Sequence, residues 1–226
     1  YQNIELIISD NASTDNTESI CRDYCKKDRR IIYIRQKRNI GGVNNYIFLL
    51  EKAKGKFFSW CAADDKFLST NLISSSVDVL EENKCSICIP KIKLIDESGF
   101  VIKNSLLSGF KPKLTKPINR LKSIIDNFHA MYSVYKIEDL RRYINYYKKH
   151  KNLSCCNEGL FMIAIFSNLL SYYNTNISRA YRIHSKNWSI STSRISLIKS
   201  NLIFLASSIK YIFFYISFPI LRKMFI

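Results

Sequence analysis

The sequence predicts an α/β protein built from parallel β-α-β units. Two observations carry this reading. Short apolar runs alternate with amphipathic stretches of helical length through the first hundred residues, and strand–helix alternation of that kind makes parallel strands joined by right-handed crossovers. One of those runs, Phe57-Phe58-Ser59-Trp60-Cys61-Ala62, leads into Ala63-Asp64-Asp65. Open α/β sheets take their ligands in the crevice beyond the carboxyl ends of strands, where this acidic pair would sit. Side-by-side hard oxygen ligands suit a divalent cation such as Mg²⁺ or Mn²⁺, and such a cation suits a diphosphate. Asp-Asp after a strand is also an ordinary turn or helix N-cap. Taken alone, the pair favours that plainer reading.

The elements follow in order. Ile4-Glu5-Leu6-Ile7-Ile8-Ser9 is a strand that ends in the polar turn Asp10-Asn11-Ala12-Ser13-Thr14-Asp15-Asn16-Thr17. A helix over 14–27 follows, with Ile20, Tyr24 and Cys21 expected to face inward. Residues 31–35 form a second strand. Asn39-Ile40-Gly41-Gly42 is a glycine turn opening a helix over 43–53, which Gly55 stops. The strand over 57–62 comes next, then a helix over 69–82 and a strand over 85–94. Asp96-Glu97-Ser98-Gly99 reads as a tight turn before Phe100-Val101-Ile102. The glycine turn lacks the Gly-Lys-Ser/Thr of a Walker loop and the Gly-x-Gly-x-x-Gly of a dinucleotide fold, so both of those readings fail. After a basic, proline-marked loop from Pro112 to Pro117 the pattern turns helical, over 118–128, 137–149 and 158–171. His129 and His150 are isolated and read as packed or surface residues. Tyr181-Arg182-Ile183-His184-Ser185-Lys186-Asn187-Trp188-Ser189 breaks the helical pattern.

Composition narrows the class. The 226 residues suffice for one sizeable core or a domain with an appendage, and the 47% hydrophobic fraction excludes overall disorder. Lys and Arg outnumber Asp and Glu by 35 to 18, a net charge of +17 that calls for an anionic partner or surface. The basic residues lie in small groups, which reads mostly as solvated faces. The seven cysteines, odd in number and set partly in apolar segments, argue for reduced thiols in a cytoplasmic protein. Cys85 and Cys88 are placed on one strand, where they would not share a face, so they read as small buried hydrophobes and not a redox or zinc pair. Residues 195–226 are apolar with sparse Lys and Arg. They hold no uncharged run of transmembrane length, and resemble an interfacial element on anionic lipid; a helix packed on the domain or in a dimer is the alternative. The chain starts at Tyr1 without Met or signal peptide, which looks like a fragment or trimmed chain.

Three segments together resemble the family 2 glycosyltransferases, enzymes with the A-type glycosyltransferase fold. The first is Ile7-Ile8-Ser9-Asp10-Asn11-Ala12-Ser13-Thr14-Asp15-Asn16-Thr17. The second runs from Asn39-Ile40-Gly41-Gly42-Val43-Asn44-Asn45 to Ala63-Asp64-Asp65. The third is Tyr181-Arg182-Ile183-His184 with Asn187-Trp188-Ser189, similar to the closing motif of a subgroup that builds surface polysaccharides. The resemblance implies a Rossmann-like nucleotide-diphospho-sugar transferase fold with a helical C-terminal part. Its divisions would be a nucleotide-sugar-binding part over 1–110, an acceptor-side helical part over 111–194, and the apolar-basic tail over 195–226.

It also implies roles. Asp10 would hydrogen-bond the nucleotide base, with Asn39 and Asn45 lining the nucleotide site. Of Asp64 and Asp65, one would touch the ribose and the other the metal (Mn²⁺ or Mg²⁺), and His184 would approach the metal or the diphosphate. Glu158, in Cys155-Cys156-Asn157-Glu158-Gly159, would be the carboxylate base of an inverting transfer; an ordinary first-turn acid is the equal alternative. The donor would be a nucleotide-diphosphate sugar and the acceptor a saccharide or lipid-linked saccharide at the inner face of the membrane. Two departures stand out. The first Asp of the family's Asp-x-Asp falls on Ala62. The family's opening strand, central in its sheet, has no counterpart here, which would leave hydrogen bonds unmet on both flanks. The competing readings are an inactive remnant, a nucleotidyltransferase of related fold, and a basic nucleic-acid-binding module. No helix-turn-helix, zinc or RNA-recognition signature supports the last, so no nucleic-acid partner is expected. The oligomeric state is not legible. Asp65→Ala is expected to abolish metal-dependent donor binding with the fold intact.

Overall fold

The computed structural model describes residues 1–104, 113–114, 131–149, 169 and 171–183. The first unit is β1 (Leu6–Asp10), α1 (Thr17–Lys27) and β2 (Ile31–Arg35). Its strands pair in parallel from Leu6 opposite Ile31 to Asp10 opposite Arg35. Helix α1 carries Glu18 in its first turn and Lys26 and Lys27 in its last, charges that suit the helix dipole. Its expected inward face does not form: Ile20 and Tyr24 are 55% and 56% exposed, and no residue of α1 is buried. The helix lies on a two-stranded sheet. Leu6 and Ile32 of that sheet are also exposed, and so small a surface cannot cover a helix face.

Helix α2 (Gly42–Lys52) leads to β3 (Phe57–Phe58), β4 (Lys66–Phe67), α3 (Leu72–Glu82), β5 (Ile87–Ile95) and β6 (Val101–Asn104). Then come β7 (Lys113–Leu114), β8 (Val134–Lys136), α4 (Ile137–Lys149) and β9 (Ser171–Arg182). These strands form a second, seven-stranded sheet of order β3-β8-β5-β9-β4, with β6 also on β5 and β7 on β9. Only β5 and β9 pair in parallel there; the other pairings are antiparallel. The β-α-β expectation therefore holds for β1-α1-β2, while the larger sheet is mixed. Pro90, inside β5, cannot donate to the ladder, and the β5–β9 register jumps there from Asn174 to Ser178.

The core lies where α2 and α4 meet the larger sheet. Leu50, Trp60, Ile87, Ile89, Tyr135, Leu140 and Ile144 are buried together. A second cluster joins Leu72 and Leu80 of α3 to Cys85, Cys88, Val134 and Ile177. Cys85 precedes β5, so strand alternation does not separate the two thiols, and both are buried in this one cluster. They are free cysteines, and burial pushes the Cys88 thiol up to about 12.

Two further expectations change. The strand over 57–62 shortens to Phe57–Phe58, paired with β8. Trp60 has left the sheet yet is 1% exposed, its indole Nε1 donating to Tyr46 O at 3.0 Å. An apolar run reports burial, not strand pairing. Residues 111–194 are not simply helical: β8 and β9 complete the main sheet, and β9 starts at Ser171, the last position of an expected helix. Helix 137–149 forms as expected. The helix expected over 118–128, most of that over 158–171 and the 195–226 tail lie outside the described residues. No helix among the described residues is long and apolar enough to cross a membrane.

No strand among the described residues joins the two sheets. Among the described residues, β1 pairs only with β2 and β3 only with β8. Glu5 bridges them, its Oε1 accepting from the backbone N–H groups of Lys54 and Gly55 at 2.6 and 2.8 Å. Helix α2 also reaches β1 through Asn45.

Candidate functional site

The carboxyl end of β1 is a polar assembly. Asp10 is its last residue, and its side chain is fully buried. Oδ1 accepts from Ser13 N at 2.8 Å, Oδ2 accepts from Tyr33 Oη at 2.6 Å, and Arg35 Nε lies 3.5 Å from Oδ2. Burial works to raise the carboxyl's pKa. The hydrogen bonds from Ser13 and Tyr33 and the Arg35 charge outweigh it and hold the group below the usual carboxylate range. Tyr33 in turn is pushed up to about 12, by desolvation and by the bond to Asp10.

The turn that aims Ser13 at Asp10 is strained. Ala12 has φ +65°, a left-handed conformation that costs an L-residue about 1–2 kcal/mol. Ala12→Gly should relieve it, offset by about 0.5–1 kcal/mol of added chain entropy. We expect a net gain of about 0.5–1 kcal/mol in urea denaturation; a loss would mean the turn is not strained at this residue.

Asn39 and Asn45 join this assembly. Asn39 Oδ1 accepts from Asn11 Nδ2 and from Gly41 N, each at 2.9 Å, while Asn11 Oδ1 accepts from Ile40 N. Asn45 Nδ2 donates to Ser9 O at 3.0 Å, and Ser9 Oγ donates to Asn45 Oδ1 at 2.6 Å. The side chains flanking Asp10 thus lock the β1 turn to the start of α2. Gly41, with φ +81°, makes the bend that begins this helix.

The acidic pair sits between β3 and β4. Asp65 N donates to Ala62 O at 3.2 Å, closing the turn. The Asp65 side chain is 1% exposed and faces the equally buried Arg179 of β9, with Oδ2 at 3.4 Å from Nη2. Its Oδ1 accepts from Arg182 N at 3.2 Å. Burial pushes the Asp65 carboxyl up to about 6, and the long Arg179 contact offsets only part of that. Arg179 also donates to Trp60 O at 3.2 Å and Tyr132 O at 2.7 Å, between the rings of Phe67 and Tyr132. Among the described residues its Nε has no hydrogen-bond partner. Asp64 is half-buried, and its carbonyl accepts from Arg182 Nε at 3.0 Å.

This geometry alters one expectation. Asp65→Ala would strip a buried guanidinium of its counter-charge, so it would not leave the fold intact. It also bears on a cation. Among the described residues no three acidic, His or Cys side chains gather as a metal site. A Mg²⁺-like ion needs only one or two carboxylates when substrate phosphates supply the other oxygens. Asp64 alone fits that modest requirement, the Asp65 oxygens being engaged by Arg179 and Arg182. Glu158 and His184 lie outside the described residues.

Sequence reasoning missed Arg179 as a site residue, and with it Tyr33 and Asn11. No local signal marks Arg179: a charged residue in a segment rich in Asn, Ser and Thr reads as solvent-facing.

Solved structures share this architecture. The Staphylococcus aureus TarS 1-349 complex with UDP-GlcNAc matches with a TM-score of 0.63 at 17% identity, covering 84% of this chain and 52% of that one. GalNAc-T7 with UDP, GalNAc and Mn²⁺ matches with a TM-score of 0.56 at 14% identity, covering 81% and 38%. The fold is thus the A-type glycosyltransferase fold. The family model described as glycosyl transferase family 2 matches residues 1–144, so the chain belongs to that family and is a glycosyltransferase homologue. An uncharacterized glycosyltransferase of Rickettsia felis is 34% identical over 125 residues, 54% of this chain and 19% of its own length. Glycosyltransferase GlyG of Streptococcus pneumoniae is 30% identical over 98 residues, 43% of this chain and 32% of its own. The matches span a fifth to a third of these relatives.

Proposed function

We propose that the chain is the donor-binding part of an inverting, metal-dependent transferase. It moves a sugar from a nucleoside diphosphate to a saccharide or lipid-linked acceptor in surface-polysaccharide synthesis, at the cytoplasmic face of the membrane. The observation that carries the reading is the assembly at the end of β1, where Asp10, Asn39 and Asn45 are held together through Ser9, Asn11 and the start of α2. In this reading the Asp10 turn recognises the base, and Asn39 and Asn45 shape the nucleotide site. Asp64 faces the metal–diphosphate, with Asp65 behind it and His184 approaching from the closing segment. A divalent cation would stabilise the charge that builds on the leaving diphosphate. Glu158 takes the proton from the acceptor hydroxyl. The +17 charge and the 195–226 tail fit an anionic membrane surface.

UDP release from a panel of UDP-sugars, with Mn²⁺ and an acceptor extract, tests the reaction. Wild-type chain should release UDP, and Glu158→Gln should bind donor but lose about 100-fold or more in rate. An active Glu158→Gln removes Glu158 from the reaction. No release by folded wild type favours the inactive remnant, and salt-sensitive RNA binding without UDP binding favours the nucleic-acid module.

A further inference from the structure

We infer that Arg182 is a positioning residue that ties the Asp64–Asp65 turn to the β5–β6 turn and so fixes the shape of the donor site. The inference rests on the donor-site reading above. Four contacts carry it. Arg182 N donates to Asp65 Oδ1 at 3.2 Å, and Arg182 Nε donates to Asp64 O at 3.0 Å. Arg182 Nη1 donates to Asp96 O at 2.8 Å and Glu97 O at 2.6 Å. One side chain at the end of β9 therefore reaches two loops that are some thirty residues apart in sequence. The next residue continues the tie, Ile183 N donating to Ile95 O at 2.8 Å.

The guanidinium's hydrogen bonds to Asp64, Asp96 and Glu97 all end on main-chain carbonyls. Orienting several carbonyls at fixed angles needs a rigid planar fork, which Arg has and Lys lacks. A residue acting on phosphate by charge alone would tolerate Lys. The two roles therefore separate on one substitution. The backbone bond from Arg182 N to Asp65 survives any side-chain change, so the substitution isolates the guanidinium.

The test compares wild type with Arg182→Lys, Arg182→Ala and Leu80→Val, the last a core change in a side chain that is 0% exposed and remote in sequence from both turns. Amide hydrogen exchange is read at Asp65, whose N–H bonds Ala62 O, and at Gly99, whose N–H bonds Asp96 O. Mn²⁺-dependent UDP affinity is read by calorimetry on the same samples. Arg182→Lys and Arg182→Ala should both speed exchange at these two amides by about tenfold or more, and should weaken UDP similarly. Leu80→Val should lower the unfolding midpoint without changing UDP affinity of the folded chain. Near-wild-type exchange in Arg182→Lys overturns the inference. So does a Leu80→Val loss of affinity equal to that of Arg182→Lys, which would reduce the effect to general stability. Wild type that binds no UDP overturns the donor-site reading and the functional half of the inference; the exchange data then decide the tie between the turns alone.

Discussion

Arg179→Met should cost about 3–5 kcal/mol of folding free energy. Both members of the Arg179–Asp65 pair are 1% exposed. Removing the cation leaves a buried carboxylate already raised to about 6 by desolvation. It also takes a donor away from the carbonyls of Trp60 and Tyr132. The rings of Phe67 and Tyr132 lose the guanidinium lying between them. Changing both partners should be far milder, because a buried pair replaced as a unit is often near neutral. Arg179→Met with Asp65→Asn should therefore recover most of the loss. Urea denaturation of both variants checks this. A single Arg179→Met variant within about 1 kcal/mol of wild type would mean the pair is solvated and not buried.

Asp64→Asn should leave the unfolding midpoint near wild type and weaken Mn²⁺-dependent UDP binding by about 100-fold or more, beyond the effect usual for groups behind a metal ligand. The contrast with Asp65 is the point of the prediction. Asp65 has both oxygens bonded to β9 residues, so its loss acts on the fold. The hydrogen bond from Arg182 Nε ends on the Asp64 main-chain carbonyl, which Asn keeps. Asp64 would thus carry the cation contact and Asp65 the architecture behind it. Calorimetry and thermal melts on the two variants separate these roles. Asp64→Asn that binds UDP as wild type does would exclude Asp64 from the metal site.

Much of the first hundred residues was legible because local signals and tertiary structure agree there. The strand read at 4–9 forms as Leu6–Asp10, and the helix read at 43–53 as Gly42–Lys52. The turn at 96–99 closes as expected, with Gly99 at φ +92°. What failed was what depends on distant partners. Strand β9 is rich in Asn, Ser and Thr, and it is a strand because β5 and β4 flank it. Ile20 and Tyr24 have helical spacing, but no layer among the described residues covers them. The polar assembly was readable in part, since Asp10, Asn39 and Asn45 stand in recognisable motifs. The partner of Asp65 was not, because Arg179 lies 114 residues away and nothing local marks it as buried.

The proposed function requires a metal-assisted nucleoside diphosphate site in this chain. Calorimetry with UDP, GDP and TDP, each with and without Mn²⁺, on chain shown by circular dichroism to be folded, tests it most directly. Saturable binding of one nucleotide over the others is expected, with Mn²⁺ required. A folded chain that binds none of the three under either condition would contradict it.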